Sequence, residues 1–168
     1  MAVESMTDVR DDALRLLSNG LYVLTTVLDG MIHAAAVSWI TQASFQPPLV
    51  LIALRTNSRL AQAVQKSRRF ALNILGADQE ALAEHFLTHL TLPADALDLA
   101  GHDYRLTQGR CPLVTEALGW LECRVAAEPP TPGDHALILA EVTGAGIRRP
   151  GQPLVLWRTR WSYGGLRD

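Results

Sequence analysis

The stretch "AAAVSWITQASFQPPLVLIAL", residues 34–54, decides how this chain folds. Its two ends are apolar and rich in residues that suit strands. Its middle is not ordinary core, because Ser38, Thr41, Gln42 and Ser44 sit among Val37, Trp39, Ile40 and Phe45. As a strand, Val37, Trp39, Thr41, Ala43 and Phe45 share one face, while Ser38, Ile40, Gln42 and Ser44 share the other. Pro47 and Pro48 then separate this segment from "LVLIAL", which reads as a fully buried strand. A polar row between two apolar segments has two readings. One is a strand with a solvated outer face. The other is a wall for a planar heteroaromatic ligand, whose edge needs donors and acceptors and whose faces need apolar cover.

Working outward, "LYVLTTVL" is β-branched and aromatic, and Asp29-Gly30 follows it as a turn. That turn between two such runs predicts a hairpin. A helix over about residues 8–18 comes before it, stopped by Asn19-Gly20. Downstream, "NSRLAQAVQKS" reads as a short helix capped by Asn57 or Ser58. "RRFALNILG" returns to strand. "ADQEALAEHFLTHL" reads as a helix with Leu82, His85, Phe86 and His89 along one side. Residues 91–107 are loop-like. "LGWLECRVAAE" and "HALILAEVTGAGI" are long strands joined through "PPTPGD". "PLVLW" and "RWSYGG" close the chain. This makes six to eight strands and three short helices, with turns between most strands. Such a pattern argues for an antiparallel barrel and against a doubly wound parallel sheet.

The 168 residues suit one domain, residues 1–168, with a sizeable core. Hydrophobic residues are 48% and charged residues 19%, which is globular composition. The net charge of −2 gives bulk electrostatics no hold on nucleic acid or an acidic membrane. No apolar run approaches the ~20 residues that span a bilayer. Two cysteines, Cys111 and Cys123, fit a reducing compartment, and the start of the chain is too polar for a signal peptide. A cytoplasmic protein is expected.

Three places can carry chemistry. In "RTNSRLAQAV" a strand ends at Arg55 and a helix begins after Asn57 or Ser58. Free N–H groups and the dipole at a helix start attract an anion. Arg55 and Arg59 add charge-assisted donors, and Ser58 adds a hydroxyl. The plainer reading is an N-cap beside two solvated arginines. The second place is the polar row of the opening stretch. The third is "TPGDHALILAEV", where Asp134 and His135 open a strand on the rim of the scaffold; from local sequence alone, a surface turn capped by Asp134 is the preferred reading. His85 and His89 stand four apart, but without a His-Glu-x-x-His pattern or a third ligand they read as packing, and no metal site is expected. The alternation of Trp157, Trp161 and Tyr163 with arginines reads as a terminal amphipathic strand at an interface.

These pieces together resemble the flavin reductase-like family of FMN-binding split barrels, over about residues 20–165. "GLYVLTT", "AVSWITQASFQPPLVLIAL", "RTNSRL", "FALNILG", "DQEALAEHF", "LECRV", "GDH" and "PLVLWRTRWSYGG" stand in the family's order. The resemblance implies a mainly β fold, a six-stranded antiparallel Greek-key split barrel with short flanking helices, ending in a tail at 164–168. It implies a homodimer with FMN near the subunit interface, FAD being the alternative. Ser38, Trp39, Ile40, Thr41, Gln42 and Ser44 would line the flavin, partly through backbone groups. Arg55, Asn57, Ser58 and Arg59 would take its phosphate. His135 resembles the histidine that orients the nicotinamide of NADH or NADPH. The implied activity is NAD(P)H-dependent flavin reduction, with a monooxygenase as one kind of partner. The other implied role is an FMN-binding electron carrier fed by a protein. Ala36 and Trp39 depart from a Thr-x-Ser-Ser pattern frequent in the family, and Gln42 stands where Ser is frequent.

Overall fold

The computed structural model describes residues 6–161. The chain opens with α1 (Met6–Arg15) and then runs through β1 (Tyr22–Leu28), β2 (Met31–Val37), β3 (Ile40–Phe45) and β4 (Pro48–Arg55). Next come α2 (Arg59–Ser67), β5 (Arg69–Ile74), a short α3 (Glu80–Glu84) and β6 (Leu90–Pro93). The small strands β7 (Tyr104–Leu106) and β8 (Pro112–Val114) lead to the long β9 (Gly119–Ala127) and β10 (His135–Ile147). A 3-10 turn, Leu156–Arg158, ends the described elements.

Eight strands form one antiparallel sheet in the order β3-β4-β10-β9-β5-β1-β2-β6, and β7 pairs with β8 apart from it. The sheet is open: β3 and β6 are its two edges. The hairpin at Asp29-Gly30 forms because both residues take left-handed backbone, at φ 50° and 75°, as the primed turns require. Leu28 then pairs with Met31 and Tyr22 with Val37. Gly119 is needed for a different reason. A Cβ there would come within 2.8 Å of the Gly146 carbonyl across the β9–β10 ladder.

Two apolar clusters share β1. Leu24 faces a cluster with Ile52, Leu54, Leu60, Val64, Phe70 and Ile138. Val23, on the opposite face, joins Ile32, Leu75, Phe86 and Leu154. This is why "LYVLTTVL" lacks alternation: both of its faces are covered. α2 buries Leu60, Ala61, Ala63 and Val64 and packs against β1, β2, β4 and β5, strands from both halves of the sheet. The helix therefore fills the inside of the curl.

Several expectations are corrected. The strands number ten among the described residues, eight of them in the main sheet, where the spacing predicts six to eight and the resemblance a six-stranded barrel; β6, β7 and β8 are too short to show a period. The helix expected over 77–90 stops at Glu84. Beyond it the Phe86 carbonyl accepts from Ala36 N–H at 2.7 Å, and Leu90–Pro93 pair with residues 31–34 of β2. The sheet edge takes the backbone groups that a longer helix would have used. The N-terminal helix ends at Arg15, short of residue 18. "LVLIAL" is not buried on both faces: Val50, Ile52 and Leu54 are core, while Leu49, Leu51 and Ala53 stay partly exposed. "PLVLW" forms isolated bridges and the 3-10 turn in place of a strand. Tyr163 and the 164–168 tail lie outside the described residues.

Buried polar groups are paired with care. Asn73 is wholly buried; its amide donates to the Val23 carbonyl at 3.1 Å and accepts from Val114 N–H at 2.8 Å. It therefore ties β8 to the main sheet. Both cysteines are buried and free, and burial pushes each thiol up to about 12. Replacing Asn73 by Ala leaves a buried N–H and a carbonyl without partners. We expect unfolding free energy to fall by roughly 2–3 kcal/mol, read from the urea midpoint. A midpoint unchanged by the substitution would show that β8 is held by other means.

Candidate functional site

A cleft of about 310 Å³ lies in the split of the sheet. Its position follows from one crossing. β2 sits next to one edge of the sheet and β3 forms the other, so the chain between Val37 and Ile40 must span the opening. Ser38 and Trp39 make that crossing and belong to neither ladder. Ile40 N–H donates back to the Ser38 carbonyl at 3.0 Å, and Trp39 offers its carbonyl to Ala53 N–H at 3.0 Å. Ala36, Val37, Ser38 and Trp39 form one wall of the cleft; Leu54, Arg55, Ser58 and Leu60 form another. Leu21, Leu87, His89, Leu156 and Trp161 close the remainder.

Ser38 is 5% exposed, and its hydroxyl makes no hydrogen bond among the described residues. Since no buried side-chain oxygen among the described residues lacks a partner, this hydroxyl opens onto the cleft, where a ligand can reach it. Ser58 caps α2: it has extended backbone, and its Oγ accepts from Ala61 N–H at 3.0 Å. Its carbonyl accepts from Gln62 N–H. The N–H groups of Arg59 and Leu60 have no partner among the described residues, so the start of α2 presents two donors beside Arg55.

His135 opens β10 directly across the ladder from Arg55. Its Nδ1 lies 2.6 Å from Asp134 Oδ1, and its ring lies against that of Trp39, tilted by 36° with centroids 4.4 Å apart. The contact with His135, helped by the charges of His135 and Arg55, holds the Asp134 carboxyl below the usual carboxylate range. Trp39 lines the cleft, and His135 stands one ring behind it.

The remaining sequence-predicted residues lie elsewhere. A bulge makes Ala43 an extra residue, since Gln42 pairs with Val50 and Ser44 with Leu49. The alternation expected from residue 37 to 45 is therefore broken twice, at the crossing and at the bulge. Thr41 and Gln42 are exposed on the edge strand, Ile40 packs toward the core, and neither they nor Ser44 line the cleft. Asn57 is at the exposed tip of the turn before α2. Arg59 is exposed, and its charge reaches two histidines.

Those histidines are the part that sequence reasoning missed. His85 and His89 do not share a helix face. His89 lines the cleft, with Nε2 3.3 Å from His33 Nδ1 on β2. His85 instead meets His102 at 2.8 Å, and His102 meets Glu116 at 2.7 Å, on the far side of α3. No local signal joins residues 33 and 89; the β2–β6 ladder brings them together. Among the described residues, no cluster of three or more His, Cys, Asp or Glu could hold a metal ion. Nor is any helix there long and apolar enough to cross a membrane.

The description "Flavin reductase like domain" matches residues 14–165. The reductase component of 4-nitrophenol 4-monooxygenase/4-nitrocatechol 2-monooxygenase from Rhodococcus opacus is 34% identical over 147 residues, 87% of this chain and 75% of that protein. Diflavin flavoprotein A 1 of Synechocystis is 30% identical over 148 residues, 88% of this chain. The chain spans only 25% of that longer protein. Among solved structures, nitrilotriacetate monooxygenase component B from Mycobacterium thermoresistibile aligns with a TM-score of 0.79 at 27% identity, covering 94% of this chain and 86% of that one. The styrene monooxygenase flavin reductase of Pseudomonas putida S12 aligns at 0.75 and 26%, covering 96% and 99%. With an open antiparallel sheet, a cleft in its split and a match over nearly its whole length, this chain belongs to the flavin reductase-like family.

Proposed function

We infer that this chain is an NAD(P)H-dependent flavin reductase that binds FMN in the split of the sheet. The observation that carries this reading is the make-up of the cleft. Its walls are mostly apolar, the Ser38 hydroxyl lines it, and a helix start with a cation lies at one side. That donor set fits a flavin phosphate, so the residues present suit the group. When bound, flavin and nicotinamide supply the hydride acceptor and donor. The protein binds and orients. Ser38 supplies a hydroxyl to the flavin edge, and Trp39 covers a ring face. Arg55, Ser58 and the N–H groups of Arg59 and Leu60 take the phosphate. His135, fixed by Asp134 and resting on Trp39, orients the nicotinamide. No side chain has to move a proton for the hydride step.

FMN added to the purified chain should be bleached anaerobically by NADH or NADPH. Likeness to one quarter of the diflavin flavoproteins favours a second reading, an FMN-bearing electron carrier served by a protein. Flavin that binds and stays yellow with both nucleotides would establish that carrier and sink the reductase. Replacing Arg55 by Ala should weaken FMN by roughly 1.5–3 kcal/mol, one charged hydrogen bond, and leave riboflavin, which has no phosphate, nearly unaffected. Equal losses for the two flavins would move the phosphate elsewhere.

The functional unit is a homodimer, and a monooxygenase of the kind named for the relatives is the partner that uses the reduced flavin. Leu49, Leu51, Leu137 and Leu139 support the dimer: they form a half-exposed apolar row on the outer face of β4 and β10. Leu51→Glu should shift the sedimentation coefficient from dimer to monomer. A wild-type chain that sediments as a monomer at high concentration rules the dimer out.

A further inference from the structure

The chain is net acidic, yet no Asp or Glu lines the cleft among the described residues. The ionisable side chains on its walls are Arg55 and His89. Behind His89 stands His33, from β2, and the start of α2 brings the Arg59 charge to both rings. These groups come from β4, β2, the approach to β6, and α2, and all are basic. The two imidazoles stack with centroids 5.4 Å apart and share one hydrogen bond, from one ring nitrogen of each. Their other nitrogens, His89 Nδ1 and His33 Nε2, make no hydrogen bond among the described residues.

We propose that His89, backed by His33, is the proton-accepting part of the anion site, so that binding of a flavin 5′-phosphate draws one proton onto this pair. The proposal rests on the reading of the cleft as a flavin site and adds a role that a fixed arginine cannot play. In the free protein both imidazoles are held below the usual histidine range. Burial is the main cause for each, and Arg59 adds to it; for His89 the neighbouring ring also contributes. The pair is therefore neutral near pH 7. A dianionic phosphate beside Arg55 and the start of α2 reverses the local field and favours the protonated form. Once protonated, His89 donates to His33 or to the ligand through a charge-assisted bond. Because the rings share a hydrogen bond, they take up this proton as a unit. The sign follows. The bound state has the higher pKa, so affinity is greatest below it and falls as pH rises through it.

The test compares FMN with riboflavin on the purified full chain. FMN affinity is measured from about pH 7 to about pH 9, where its phosphate stays dianionic (second pKa about 6). It should fall severalfold as the bound-state proton is lost, while riboflavin affinity stays flat. Calorimetry near pH 7.5 in two buffers of different ionisation heat should show net proton uptake on FMN binding. His89→Gln keeps a hydrogen-bonding side chain without the titration. It should remove both the uptake and the pH slope, and His33→Gln should reduce them if the first variant fails to fold. FMN binding with no proton uptake, or uptake unchanged in a folded His89→Gln protein, overturns the proposal. Failure of both flavins to bind overturns the flavin reading of the cleft, and this inference with it.

Discussion

A sheet whose edge strands do not meet leaves a gap that must be filled, and the packing of α2 into that gap is the contact on which the rest depends. Leu60, Ala61 and Val64 anchor one side of the helix among side chains of β1, β4, β5, β9 and β10. With that side fixed, the start of the helix has no freedom to turn away. Its two unpartnered N–H groups and its cap, Ser58, stay beside the cleft. The crossing at Ser38 and Trp39 is the other half of the same constraint, because a chain that leaves β2 for β3 has to pass over the opening.

Electrostatics follows from this arrangement. The chain carries more acid than base, but its cleft gathers arginine and histidine, and among the described residues no carboxylate lines it. Asp134 acts at one remove, through His135 and the ring of Trp39. Glu122, a buried carboxylate, is used elsewhere: it accepts from Thr107 and from Gly109 N–H, and so pins the loop before β8. The buried cysteines, with raised thiol pKa, have no nucleophile to offer.

Much of the frame was legible. The Asp29-Gly30 hairpin, a helix cap at Asn57 or Ser58 (Ser58 in the structure), the strand after "RR" and the long β9 and β10 all announce themselves in neighbouring residues. The candidate site was legible in part. Ser38, Trp39, Arg55 and Ser58 do line the cleft, and His135 stands just behind it. Thr41, Gln42 and Ser44 do not, because period-two reasoning presumes an unbroken strand, and this one breaks at its start and bulges near its end. The helix expected through His89 failed for a related reason. Local spacing of apolar residues cannot register that a distant sheet edge competes for the same backbone groups.

By itself, the sequence determined the elements whose causes are local: turns that need left-handed backbone, a hydroxyl that caps a helix within three residues, and strands rich in β-branched side chains. Its ordered motifs also identified the family. Only the tertiary structure decided which side chains meet. The union of His33 with His89, the open hydroxyl of Ser38, and the separation of His135 from the cleft by one indole arise from ladders between residues far apart in the chain. Such pairings depend on the register of the whole sheet, and no short stretch of sequence contains that register.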